Sequence, residues 1–444
     1  MQAPSLSFGQ ITKFWMPLAG TWLMMALEGP YLAAIIARLD RPTENLAAFG
    51  IAFAFAIIIE APVIMLLAAS TTLVKDFTSY LALRRFTYKL GATLTLVQLV
   101  AVIPPIFQWI ASDLMGLPSE VSRLAHHGLT IMLPWPIAIG YRRFRQGLLI
   151  RHGMTRRVVY GTALRLATMT ATAAALAQVP NISGIYVGAT ALAIGVIVEA
   201  ASSRIMTKQL VAQLNGEGSL TTDPLLVTQP AIRRFYFPLA LTSVLAMAIQ
   251  PTVTFFMAQS RDPLQSLAVL PVIHGLTFIF RAAGLSYQEV AIALVGNNWE
   301  HYRQLRNFGY ALATGTAGGL GLIVCTPLAT FWFQDISGLP PHLAKFAVLP
   351  AQILVLFPAW SVWMSFQRAI LVHARLTTPV TWASSLEIGT VAVLLMVTIK
   401  TFSWSGAVAA STAVLLGRLI ANLYLTAPVT RARQQPVKHQ IVRN

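Results

Sequence analysis

The 444-residue sequence is short of charge, and shorter still of acid: Asp, Glu, Lys and Arg make up 11% of it, with 15 acidic residues against 32 basic ones. Its single cysteine, Cys325, excludes an internal disulfide and any cysteine-built metal cluster. No Gly-x4-Gly-Lys-Ser/Thr loop and no His-Glu-x-x-His pair occurs, so neither nucleotide hydrolysis nor metal-dependent hydrolysis of those kinds is expected. The adjacent His126 and His127 cannot both face one metal from one side of a helix, and no carboxylate stands at ligand spacing. No metal and no cofactor are expected beyond a coupling ion, H+ or Na+. Energy must come from a gradient or from the substrate's own.

What remains is apolar. Hydrophobic residues are 56% of the chain and the mean hydropathy is +0.65, values a soluble globular domain rarely reaches. A bilayer is the expected environment, where backbone satisfaction permits only helices or closed barrels. Long apolar runs select helices. Twelve are predicted, near 11–37, 45–74, 89–112, 122–142, 158–178, 184–207, 234–259, 264–296, 304–333, 342–368, 379–400 and 405–427. The predicted class is all-α and polytopic, with about 12 transmembrane helices in two pseudo-symmetric six-helix lobes. The N-terminal lobe takes residues 1–214, a polar cytoplasmic linker 215–232, the C-terminal lobe 233–428 and a basic cytoplasmic tail 429–444.

One stretch occurs twice. Phe14 to Pro62 laid on Phe235 to Ala283, an offset of 221, sets Pro17 on Pro238, Pro30 on Pro251 and Pro42 on Pro263. Prolines are sparse enough for this to mark a duplication. Later helices repeat at an offset of 222, with Pro136 on Pro358, Phe144 on Phe366 and Gly184 on Gly406. An even number of helices per copy makes the repeats parallel, with a cavity expected between the lobes. Lys13 ahead of Phe14 to Leu27 has the form of a signal peptide, but the second copy lies mid-chain, so the first helix is expected to be retained.

Lys and Arg gather in alternate loops, most densely from Arg142 to Arg157, which places both termini in the cytoplasm of a plasma (inner) membrane protein. That rule absorbs the net charge of +17 without nucleic acid. The expected partners are the lipid bilayer and a small-molecule substrate, with no nucleic acid, and the chain is expected to act as a monomer.

Ionisable groups inside apolar helices cost about 2.5 to 3.5 kcal/mol each, so those present are functional candidates. Glu60 and Arg281 hold the same place in the two copies near mid-span. They are expected to face one cavity, able to pair or separate; a permanent buried pair or separate local hydrogen bonds is the structural alternative. Glu28 precedes Gly29-Pro30, where proline removes a backbone donor and loosens the helix, which suits a proton or sodium site or else a locally satisfied kink. Glu289 follows Arg281 by eight residues and extends a polar track on its face. His274, two turns before Arg281, could titrate or contact substrate, or simply pack in the core. Arg145 and Arg368 lie in similar Phe-Arg-Gln and Phe-Gln-Arg triplets and could attract anions. Arg165 and Glu387 are open between cavity and structure, and Glu199 is expected to pair locally near Arg204.

Leu46-Ala47-Ala48-Phe49-Gly50-Ile51-Ala52, opening the second helix of a two-lobed, proline-marked frame, resembles the multidrug/oligosaccharidyl-lipid/polysaccharide (MOP) flippase superfamily, of which the multidrug and toxic compound extrusion (MATE) transporters are a branch. Glu44 to Gly50, Phe237-Pro238-Leu239-Ala240-Leu241, Gln250-Pro251-Thr252-Val253 and Ser260-Arg261 are similar to stretches of the progressive ankylosis protein family. The resemblance spans most of the chain in short apolar motifs. It implies a V-shaped, twelve-helix exporter working by alternating access. The ankylosis family implies efflux of small phosphate-bearing or carboxylate anions such as pyrophosphate, nucleotides or citrate; the MATE branch implies organic cations exchanged for protons or sodium. Glu28 departs from that branch, being a glutamate and about a turn early relative to Leu46-Ala47-Ala48.

The reading that follows is a secondary exporter of a small organic or phosphorylated anion, not an enzyme. Arg281 binds substrate charge, Arg145 and Arg368 recruit it, Glu60 competes for Arg281, and Glu28 carries the coupling ion. The alternatives are proton- or sodium-coupled multidrug cation efflux and a membrane enzyme acting on lipid-linked substrates. The latter requires polar catalytic residues clustered at one membrane face.

Overall fold

The computed structural model of the protein describes residues 6–216, 228–296, 298–374 and 376–434. Most of the predicted linker 215–232 and of the tail 429–444 therefore lies outside the described residues, as does Arg375.

Among the described residues the chain is a succession of helices with no strand. In order they are α1 (Phe8–Ala37), α2 (Pro42–Leu73), α3 (Phe77–Ala101 and Pro104–Leu114), α4 (Ser119–Ile131 and Trp135–Arg151), α5 (Thr155–Leu176), α6 (Gly184–Gly216), α7 (Gln229–Ala258), α8 (Pro263–Leu294), α9 (Tyr302–Val324 and Leu328–Ile336), α10 (Pro341–His373), α11 (Thr378–Lys400) and α12 (Gly406–Gln434). Eight of these are long and apolar enough to cross a bilayer, and the pieces of α3 and α9, bent by 73° and 87°, make up to 10. α4 is broken into pieces of 13 and 17 residues, each short of a span, and α5 has 22 residues but carries Arg156, Arg157 and Arg165.

Several helices outrun the sequence expectation, for local reasons. α3 starts at Phe77, not near 89, because Asp76 and Ser79 form a reciprocal capping box at its first turn. α4 continues through its arginines to Arg151, and α12 runs through Pro428 to Gln434, so the first residues assigned to the tail are helical.

The duplication is written in the backbone. Arg41 and Asp262, equivalent at offset 221, both adopt the left-handed conformation (φ 51° and 56°) before a proline that opens the next helix. Asn45 Oδ1 accepts hydrogen bonds from Ser183 Oγ and Ile185 N at the start of α6, and its equivalent Ser266 accepts from Ala407 N at the start of α12.

By compactness the chain divides into Ile35–Gln259 and a second unit made of Met1–Ala34 with Ser260–Asn444. The boundaries differ from the sequence halves 1–214 and 233–428, because each copy's first helix is packed in the unit built mainly from the other copy. Trp15 on α1 donates from Nε1 to Ala283 O and Ser286 Oγ of α8 (3.2 and 2.9 Å), and Gly275 lets Pro30 approach so closely that a Cβ there would lie 2.8 Å from the ring. On α7, Tyr236, the equivalent of Trp15, donates to Pro62 O, and Ser243 Oγ donates to Ala61 O at 2.7 Å. Those carbonyls belong to the 3-10 turn Ala61–Met65 in α2, where Pro62 interrupts the α-helical ladder. The same contact therefore fastens the first helix in both units.

Candidate functional site

In the Ile35–Gln259 unit, Glu60 ends the first part of α2 and is 6% exposed. Its carboxylate accepts from Trp135 Nε1, at the opening of the second part of α4. Glu199 on α6 gathers the neighbouring guanidiniums. Arg142 Nη1 lies 2.5 Å and Arg165 Nε 3.2 Å from Oε2, and Gln146 Nε2 donates to Oε1 at 3.2 Å. With the Glu199 side chain 1% exposed, charges this deep persist only if paired. Arg145, also buried, donates to Thr207 Oγ1 at 2.6 Å and lies over the Tyr141 ring. The Nε atoms of Arg142, Arg143 and Arg145 have no hydrogen-bond partner among the described residues.

In the other unit the polar interior is built on α8, α10, α11 and α12. Arg281 stands over two rings, 4.7 Å from the Phe357 centroid and 5.8 Å from that of Phe278, and its Nε has no hydrogen-bond partner among the described residues. Arg418 Nε meets Glu387 Oε1 at 2.7 Å, Nη1 donates to Ser361 Oγ, and its guanidinium faces Phe357 at 5.0 Å. The Phe357 ring thus takes two cations. Arg368 Nη2 donates to Ser384 Oγ at 3.2 Å.

Superposing the copies by residue number exposes an inversion. Glu60 and Arg281 are equivalent, and so are the aromatic residues that hold them, Trp135 and Phe357, each one residue before the paired prolines Pro136 and Pro358. The indole serves the carboxylate with its N–H; the phenyl ring serves the guanidinium with its π-face. Arg165 and Glu387 are equivalent too, and each forms its ion pair with the last helix of its copy, to Glu199 on α6 and to Arg418 on α12. One architecture carries opposite signs in its two copies.

No family model matches the chain, and no curated protein does. Among solved structures, an inward-facing multidrug resistance MATE family transporter of the MOP superfamily superposes with a TM-score of 0.74 at 13% identity, covering 94% of this chain and 99% of that one. The fold is that of the MATE transporters. It is shared by the lipid II flippase MurJ in an inward closed conformation (TM-score 0.69, 13% identity, 94% of this chain and 89% of that one). It is shared also by a MOP superfamily transporter from Pyrococcus furiosus described as having a binding pocket of reverse polarity (TM-score 0.59, 12% identity, 98% and 100%). The chain is therefore an all-α, polytopic integral membrane protein with two pseudo-symmetric six-helix lobes.

Within the MATE fold the sequence candidates separate. His274 stacks on Phe278, the ring that Arg281 also faces. Glu289 is exposed, and its Oε1 accepts from Trp22 Nε1 of α1 at 3.3 Å, which makes it an anchor for α1 rather than a continuation of the Arg281 group. Glu28 is half-buried on α1, beside Gly29, where an added Cβ would meet nothing within 4 Å. Arg145 is buried, where the sequence reading gave it a recruiting role at a helix end. Glu199 is not paired within its helix near Arg204; its partners come from α4 and α5. Glu60 meets Trp135, and Arg281 meets Phe357 and Phe278, each within its own unit. Sequence reasoning missed Trp135, Phe357, Arg142 and Arg418. The repeat offsets held the signal for the first two, since they abut the prolines that define the alignment.

Proposed function

We propose that the chain is a secondary active transporter that exports a small organic or phosphorylated anion across the plasma membrane, with both termini in the cytoplasm. One observation carries the sign of the substrate: in both units the interior guanidiniums outnumber the carboxylates. Arg281, Arg368 and Arg418 stand with Glu387; Arg142, Arg143, Arg145 and Arg165 stand with Glu60 and Glu199. A cationic drug entering such surroundings meets repulsion in a low dielectric, whereas an anion supplies the missing charge. Arg281 is the first residue we assign to the substrate, because what it touches is aromatic and its donors are not committed to a carboxylate. Arg368 assists it. Glu28, beside the Gly29-Pro30 loosening of α1, is assigned the coupling proton or sodium ion.

The reverse-polarity pocket ascribed to the Pyrococcus furiosus transporter supports a change of substrate sign within this fold, and the likeness to the progressive ankylosis family in Glu44 to Gly50 and Phe237 to Leu241 supports an anion. The fold shared with MurJ favours one further reading, an anion carried on a lipid. Proteoliposomes loaded with radiolabelled citrate, pyrophosphate or ethidium distinguish a soluble anion from a cationic drug. Gradient-driven release of the anions with ethidium retained is expected. Ethidium release without anion release would overturn the assignment in favour of multidrug cation efflux.

A further inference from the structure

One end of the Ile35–Gln259 unit gathers the start of α3, the end of α6 and the starts of α5 and α7. Arg157 Nη1 donates to Met206 O, joining α5 to α6, and Gln229 Nε2 donates to Ala82 O, joining α7 to α3. Exposed cations stand on all four helices here, and each shares its stripe with an exposed apolar or aromatic side chain. On α7, Arg233 and Arg234 are followed one turn later by Phe237, 70% exposed, and then by Leu241. On α5, Arg156 is followed by Tyr160, 62% exposed, and Leu164. Arg85 and Lys89 flank exposed Tyr88 on α3, and Arg204 and Lys208 flank Ile205, 76% exposed, on α6.

No exposed acid accompanies them among the described residues; Asp76, the carboxylate at this end, is buried and caps α3. The other unit differs. At its equivalent end Lys13, Arg303, Arg431 and Arg433 are exposed, and so are Glu289 and Glu300. The rule that loads one side of a membrane protein with Lys and Arg accounts for cations at this end, but not for the exposed aromatic and aliphatic side chains that share their stripes. Cations one turn from exposed aromatic and aliphatic groups fit the depth where lipid headgroups meet acyl chains. A patch for a soluble polyanion has no use for Phe237, Tyr160 or Ile205.

We propose that this end of the Ile35–Gln259 unit is a binding surface for anionic phospholipid headgroups, its cations holding phosphates while the apolar members of the same stripes lie against the chains.

The test titrates detergent-solubilised full chain with phosphatidylglycerol and reads bound lipid by native mass spectrometry. One variant combines Lys89→Gln, Arg156→Gln, Arg233→Gln and Arg234→Gln; its control combines Lys13→Gln, Arg303→Gln, Arg431→Gln and Arg433→Gln. All eight side chains are exposed, and thermal melting verifies that both variants fold. Each cation near a headgroup surface is worth about fivefold in affinity, so the first variant should bind at least about tenfold more weakly, with a change under about threefold in the control. Equal losses in both variants, or none in the first, would overturn the proposal. So would displacement of phosphatidylglycerol by millimolar inorganic phosphate, which would make the surface a free-phosphate site.

Discussion

Arg281→Ala is expected to lower anion export about ten- to hundredfold while leaving the protein folded. A hydrogen bond to a charged group is worth about 1.5 to 3 kcal/mol, which sets that range if Arg281 meets substrate directly. The fold loses little by comparison. No carboxylate is orphaned, and the stacking on Phe357 and Phe278 contributes only about 0.5 to 2 kcal/mol. Arg281→Lys keeps the charge but not the planar fork, so it should recover part of the export. The measurement is initial efflux rate from proteoliposomes at matched protein incorporation. Full anion export by Arg281→Ala would remove the substrate role from Arg281.

Glu199→Ala is expected to act in the opposite way, on stability before transport. Removing the carboxylate takes away the ion-pair partner that Arg142 and Arg165 share, and breaking a buried pair in this manner costs about 3 to 5 kcal/mol. The expected result is a large fall in melting temperature in detergent and poor recovery of folded protein. Glu387→Ala should lose less, because Arg418 keeps Ser361 as an acceptor and Phe357 as a ring to face. A Glu199→Ala protein that melts with the wild type would show that the α4, α5 and α6 junction does not depend on this cluster.

These two outcomes divide along the line where the sequence stopped being informative. The helical frame could be read from apolar runs and from prolines that punctuate both copies. The helices from 42 to 73, 263 to 294 and 378 to 400 stand within a few residues of expectation. The polar interior was harder, because charge partners in a helical bundle are chosen across helices. Glu199 has Arg204 five residues away, yet it pairs with Arg142, 57 residues away in the chain, which α4 brings beside it. Arg142 itself is buried, although a topology rule explains an arginine-rich stretch without burying any of it. The difference between Glu60 and Arg281 was legible as a break in the repeat. That each is held by the aromatic residue before Pro136 or Pro358 was legible only to someone comparing positions on the fourth helix of each copy. Which unit takes α1 was not legible, since an apolar helix with two prolines does not name its neighbour.

The exchange of first helices imposes an order on the making of the protein. α7 emerges to find the 3-10 turn of α2 already in place, so the Ile35–Gln259 unit can close as soon as Gln259 has been synthesised. α1 has no such fortune. Trp15, Trp22 and Pro30 wait for α8, which begins at Pro263, and the unit they join is finished only with the last helix. Throughout that interval the nascent first helix must be kept in the bilayer by its own hydrophobicity, with its tryptophans lacking their final acceptors. A chain severed between the sequence halves would hand each fragment a helix belonging to the other, and neither fragment would contain a whole unit.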